Sequence, residues 1–432
     1  MFSMAPADAA MYWSGRGTAN DQFLLFAFDR SGESDMVTEL RRRAAAIADL
    51  HLDVRTVPGD LDFPRWVPAP IRDDAIVVMS GDDWPACLAA ITGLRPLHES
   101  SALWRVHVFD SVAGVPRVDG PGRVAVLQIS HAVGDGRRVS SIARALFGGE
   151  PAPFLRDESV SVEDTRLAAL RSGALIGAHL LSATVRGIAV WAAADEPGRG
   201  RADVSPTRAN VRPGGIRELR TLTLDAASLR VAGRSTTVGV LVGIAEVLPH
   251  FLNAPRRDAS VELTVAFNDD RDPPARNNFQ TVGIGLHADV RDRDRRARLI
   301  ADEIRAARVR VSSAVRAASR RAADSAPAVL AATAARLGAD GPPPVSVAGW
   351  AVVSAVHRGA ADLTLGGGSV KFTAGFPALS SAHSLTHGVH RIGDTVTLSV
   401  NAGGPITDGV DDYIASLASV FDELAQIPTD GP

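Results

Sequence analysis

The chain has 432 residues, 46% hydrophobic, 22% charged and 5% aromatic, with a formal charge of -3 and one cysteine. That length asks for two or three packed units around a large core, and the ordinary apolar fraction with small net charge excludes a disordered chain. Cys87 alone can form no internal disulfide and no cysteine zinc cage, while balanced charge argues against nucleic acid as a partner.

No basic stretch followed by an apolar one marks the start as a secretory signal. No uninterrupted apolar run reaches the roughly 18 to 20 residues a membrane-spanning helix needs. The expected location is cytoplasmic. All but one of the 46 basic residues are arginine, Lys371 being the lysine, which reads as a coding bias.

Along the chain, residues 23–28 form a compact apolar run that predicts a strand, and 36–51 carry apolar residues three and four apart, as a helix does. Residues 58–70, rich in Pro and Asp, read as a loop, and 84–92 as a helix. Residues 104–110 and 123–129 read as two strands, and the turn residues between them predict a long hairpin. Helical spacing resumes at 140–147 and stops at Gly148 and Gly149. Residues 150–215 look like a connection containing an Ala-rich amphipathic segment, 167–194. A second alternating half follows: strands at 219–224 and 261–267, a helix at 236–252, helical sequence over 293–337, a strand-rich block at 345–400 and a closing helix at 410–427. The expected fold is α/β, two mixed-sheet halves joined by a crossover, with units at 1–150, 151–215 and 216–432.

The stretch RVAVLQISHAVGDGRRVSSIARALF, residues 123–147, places His131, Asp135 and Gly136 in an HxxxDG arrangement after an apolar strand and before a helix. A histidine at a strand end stands on rigid scaffold. With an ordinary pKa near 6.5 it can take a proton from a hydroxyl at neutral pH, as an alcohol attacking a thioester carbonyl requires. Asp135, beyond a turn that Gly134 and Gly136 permit, is expected to pair with an arginine and hold the loop. Arg271, in the 268–278 loop after a strand, is the expected partner.

The motif and its flanks resemble the bacterial wax ester synthase/acyl-CoA:diacylglycerol acyltransferase family, within the chloramphenicol-acetyltransferase-like and condensation-domain enzymes. Asp8-Ala9-Ala10-Met11-Tyr12 resembles the family's opening, Phe63-Pro64-Arg65-Trp66 its Pro-x-Trp loop, and residues 94–104, LRPLHESSALW, the segment ending in Pro-Leu-Trp. Residues 352–359 and the strands after them are similar to the region of its Ser-Asn-Val-Pro-Gly-Pro signature. The resemblance implies two acetyltransferase-like halves around a central substrate tunnel, His131 as general base and Asp135 as the structural aspartate. It also implies an acyl-CoA co-substrate with no bound cofactor or metal, and a hydroxyl acceptor such as a long-chain alcohol or diacylglycerol. Ser130, Trp104, Ser354 and His387 are expected to line the tunnel.

The chain also departs from the family. Ser130 replaces the first histidine of HHxxxDG, Thr237-Val238-Gly239-Val240 stands where an Asn-Asp pair is expected, and Ser354-Ala355-Val356-His357-Arg358-Gly359 replaces the Ser-Asn-Val-Pro-Gly-Pro signature. Two alternatives therefore stay open: acylation of a specialised metabolite or cell-envelope lipid, or a condensation-like reaction using a carrier-protein thioester, and a catalytically silent acyl-lipid binding protein. His383, His387 and His390 read as part of a hairpin rather than a metal-binding helix face. The 167–194 segment carries the expectation of peripheral contact with a membrane or lipid droplet.

Overall fold

The computed structural model describes residues 2–16, 20–32, 35–148, 164–192, 203–268, 275–339 and 344–426. The apolar strand Gln22–Phe28 lies inside a six-stranded sheet ordered Thr364–Leu365, Gly368–Phe376, Gln22–Phe28, Gly122–Ile129, Trp104–Val112, Ile76–Met79. Neighbours run antiparallel except for the last pair. The hairpin expected from residues 104–129 is present, with Trp104 opposite Ile129 and a register shift between Phe109 and Val112.

The second six-stranded sheet is ordered Phe279–Gly285, Ser260–Ala266, Val352–His357, Leu385–Ile392, Thr395–Gly403, Arg217–Asp225. Val352–His357 runs parallel to both of its neighbours. A three-stranded sheet of Phe2–Ser3, Arg65–Pro68 and Leu52–Arg55 covers the first half. The architecture is the expected one, α/β with two mixed sheets and flanking helices.

The two halves exchange material. Gly368–Phe376, from the 216–432 portion, pairs with Gln22–Phe28, so the first sheet is completed by the far end of the chain. The approach is close: a Cβ on Gly368 would stand 2.0 Å from the Asp29 carbonyl oxygen, which leaves glycine as the residue that fits. Ala328 and Ala332 of the helix Ala328–Ala339 likewise pack into the first-half core beside Trp13 and Trp66.

Several elements differ from the sequence reading. The 36–51 helix ends at Ala44, and Ala48–His51 forms a separate short turn of 3-10 helix. Within the 58–70 loop lies the strand Arg65–Pro68. Helical sequence over 293–337 breaks into Arg293–Val311, Ala314–Asp324 and Ala328–Ala339, at Ser312-Ser313 and before Pro327, where capping hydroxyls and the missing proline N–H end helices. The 167–194 segment becomes Thr165–Ala174 and Ile176–Ala192, bent by 59°. No single helix among the described residues is long and apolar enough to cross a membrane.

Candidate active site

A cavity of about 760 Å³ opens between the two sheets, a size suited to a small or medium organic ligand. Gln22, Phe23, Leu24, Gly375 and Phe376 of the first sheet line one side. Leu263, Val265, Val352, Ser354, Val356 and His390 of the second line the other. His131, Asp135 and Gly136 enter it from the turn that follows Gly122–Ile129.

His131 begins a 3-10 turn, His131–Val133, whose N-cap is Ser130; the Ser130 hydroxyl accepts from the Ala132 N–H at 3.3 Å. Its ring lies 5.5 Å from that of Phe279. Nδ1 of His131 stands 3.3 Å from Oδ1 of Asn277. The orientation of this amide follows from its other contacts: Nδ2 of Asn277 donates to the His131 carbonyl at 2.8 Å and to Asp8 Oδ1 at 3.0 Å, both acceptors. Oδ1 therefore faces the imidazole, Nδ1 carries the proton, and Nε2 keeps its lone pair. Burial pushes the His131 pKa below 6.5, against the hydrogen bond its Nδ1–H donates to Asn277 and the charge of Asp135, so the ring is neutral at pH 7. An imidazole in this tautomer and charge state can act as a base.

Asp8, in the helix Pro6–Gly15, anchors the support. Its carboxylate accepts the backbone N–H groups of Arg276 at 3.0 Å and Asn277 at 2.8 Å. Burial nevertheless holds its pKa above the ordinary value.

Asp135 does its work through the backbone. Its Oδ1 accepts from the N–H groups of Arg137 and Arg138, both at 3.0 Å, capping the helix Gly136–Gly148, and Oδ2 accepts from the Asn278 N–H at 3.2 Å. The Asp135 N–H in turn donates to the Arg276 carbonyl at 3.0 Å. Its recorded ion-pair contact, Arg137 Nη2, is 4.0 Å away and belongs to a half-exposed side chain. Arg271 lies outside the described residues. Buried ion pairs close to the motif belong to Asp49, which meets Arg138 through two bonds of 2.9 and 3.0 Å and Arg276 at 2.8 Å. Burial raises the Asp49 carboxyl, but the two guanidiniums outweigh it and hold the pKa below the ordinary value. Arg276 also lies over Trp66, 4.8 Å from the ring centre.

Of the four expected lining residues, Ser354 lies on the cavity wall. Ser130 caps the turn outside it. Trp104 is a correction: its indole is buried in the first core and donates to the Leu50 carbonyl at 3.0 Å. The 104–129 hairpin turns this side chain toward Trp13 and Ile129 rather than the cavity. His387 is a second correction. It is fully buried, 2.9 Å from the Tyr413 hydroxyl, with its pKa pushed down to about 4 by burial. His390 reaches the cavity in its place, because side chains three apart on a strand face opposite sides. His383 lies 3.2 Å from the Gly349 carbonyl, so the three imidazoles do not converge.

Sequence reading passed over Asn277, Asp49, Arg138 and Arg276, and named Asp8 only as part of a matched opening. Their partners are 89 to 269 residues apart in sequence, and short spacing gives no sign of such pairs.

No family model matches the chain, and no curated protein matches it in sequence. Solved structures do match in fold. Wax ester synthase/diacylglycerol acyltransferase from Marinobacter aquaeolei aligns with a TM-score of 0.64 at 14% identity, covering 98% of each chain. Trichothecene 15-O-acetyltransferase from Fusarium sporotrichioides aligns at 0.57 and 11% identity, over 98% of this chain and 94% of that one. The starter condensation domain of rhizomide synthetase, in complex with C8-CoA, aligns at 0.55 and 11% identity with the same coverage. The fold is therefore the two-lobed one of these acyltransferases and condensation domains, end to end.

Proposed function

We propose that this chain is an acyl-CoA-dependent O-acyltransferase. The observation that carries the reading is His131: a neutral imidazole at the cavity, its Nδ1–H held by Asn277 and its Nε2 lone pair free. In the reaction, Nε2 removes the proton of an acceptor hydroxyl as the oxygen attacks the thioester carbon. Collapse of the tetrahedral intermediate breaks the carbon–sulfur bond, and the proton on His131 passes to the leaving thiolate, giving ester and free thiol. Acyl-CoA is a co-substrate, and the chemistry needs no metal or tightly bound cofactor. The Ser354 hydroxyl, which lies on the cavity wall, is the candidate donor to the developing oxyanion in this reading. Long-chain alcohols and diacylglycerol are the acceptors the reading favours, supported by the apolar wall of Leu24, Leu263, Val265 and Val356.

The test is incubation with labelled octanoyl- or palmitoyl-CoA and a panel of long-chain alcohols and diacylglycerol. Wild type is expected to form ester and His131→Ala to be slower by about 10³-fold; equal rates would overturn the assignment of the base. Lack of ester with both proteins, with acyl chains still bound, would favour a silent binding protein.

The proposal extends to a peripheral lipid surface. Leu181, Val185 and Ile188 make an exposed apolar row along the helix Ile176–Ala192. Flotation with lipid vesicles, reduced by Leu181→Asp, is the expected result; unchanged flotation would remove this face from the account.

A further inference from the structure

Arg358, one residue beyond the strand Val352–His357, is 3% exposed and forms part of the cavity wall. Its Nη1 donates to the Ala374 carbonyl at 3.0 Å and to the Thr373 hydroxyl, and its Cζ lies 5.2 Å from the centre of the Phe26 ring. Its Nε is buried with no partner. No carboxylate pairs with it among the described residues. The carboxylates that share the cavity wall are committed elsewhere: Asp135 caps its helix, and Asp21 accepts from the Leu97 N–H and the Gln128 amide.

A lone buried cation is costly unless a negative group completes it. Burial pushes the guanidinium down to about 9, which still leaves it charged at neutral pH. His390 is its neighbour on the cavity wall. Arg358 Nη2 and His390 Nε2 both pack closely against Gly375, where a Cβ would stand 2.8 Å from the first and 2.9 Å from the second, so the two nitrogens meet at one point of the wall.

We infer that the cavity takes a substrate bearing a carboxylate, which docks against Arg358 with His390 beside it. The inference deepens the acyl-transfer reading and rests on it for the hydroxyl and thioester partners. The carboxylate can come with the acceptor, as a hydroxy acid, or with the donor, as the CoA thioester of a dicarboxylic acid. One anion site serves either.

Two measurements test it. Calorimetric titration with 12-hydroxydodecanoate and with 1,12-dodecanediol compares a carboxylate with a neutral analogue of the same length. Wild type should bind the carboxylate at least about tenfold more tightly. Arg358→Gln should lose that preference while holding the diol within about twofold, and Arg358→Lys should keep part of it. Gly375→Ala, whose methyl group crowds both Arg358 and His390, should also weaken the preference, and it carries the test if Arg358→Gln fails to fold. Equal affinities in wild type, or a preference that survives both Arg358→Gln and Gly375→Ala, would overturn the inference. Turnover of octanoyl-CoA with the hydroxy acid, against that of a dicarboxylic acyl-CoA with 1-dodecanol, shows which substrate brings the charge. Tight, Arg358-dependent carboxylate binding without ester from either pair would contradict acyl transfer and leave the anion site standing.

Discussion

One order of elements, strand then short turn then helix, occurs twice in the molecule. In the first half, the strand Gly122–Ile129 leads through the 3-10 turn His131–Val133 into the helix Gly136–Gly148. In the second, Arg217–Asp225 leads through Val231–Gly233 into Thr236–Phe251. Both helix starts face the cavity. The side chains differ at each matching step. Val231 stands where the first turn has His131, and packs into the second core. Ser235 stands where the first has Asp135, and makes no side-chain cap bond. The second turn is held by packing, since a Cβ on Gly239 would lie 1.9 Å from the Leu229 carbonyl oxygen. The first is held by polar clamps, through Asp8, Asp49 and Asp135. The same order of strand, short turn and helix thus yields a base at one turn and a packed valine at the other; the second turn differs in backbone, with Ala232 and Gly233 at positive φ, as well as in the polar groups around it.

The comparison can be broken at the clamp. Asn277→Ala removes the acceptor that fixes the His131 ring, and kcat is expected to fall about 10²-fold with KM within about twofold. Rescue of the rate by Asn277→Gln would show that the amide positions the ring. An unchanged kcat would mean that packing alone orients His131, as packing holds Val231.

The caps give a smaller and cleaner contrast. Asp135→Ala should cost about 1 to 2 kcal/mol of stability, because two helix N–H groups and that of Asn278 lose their acceptor. Ser235→Ala should change stability by less than about 0.5 kcal/mol. Equal shifts in Tm for the two variants would show that the two turns are held alike.

How much of this was legible in the sequence varies with the kind of signal. The strand at 23–28, the 104–129 hairpin and the HxxxDG turn follow from local alternation and turn residues, and the structure places them accordingly. The four-residue edge strand Ile76–Met79 is too short to show a period, and Phe279–Gly285, with glycines at 283 and 285, lacks the continuous apolar run that marks 23–28. The exchange of Gly368–Phe376 into the first sheet is a choice between two partners that its own apolar sequence does not make. His387 was singled out and His390 faces the cavity, an error of strand phase, which a single residue of offset reverses. The groups that support His131 come from residues 8 and 277, and only the fold brings them together.

If His131 works as a neutral base at the first turn, the pH dependence of kcat/KM carries its signature. Burial lowers the folded-state pKa below the ordinary 6.5, so half-protonation of the base falls on the acid side of that value. Wild type should therefore lose activity through one protonation whose midpoint lies below 6.5. The residual rate of His131→Ala should show no such limb. A limb that persists unchanged in His131→Ala, or a wild-type midpoint above 6.5, would contradict the account.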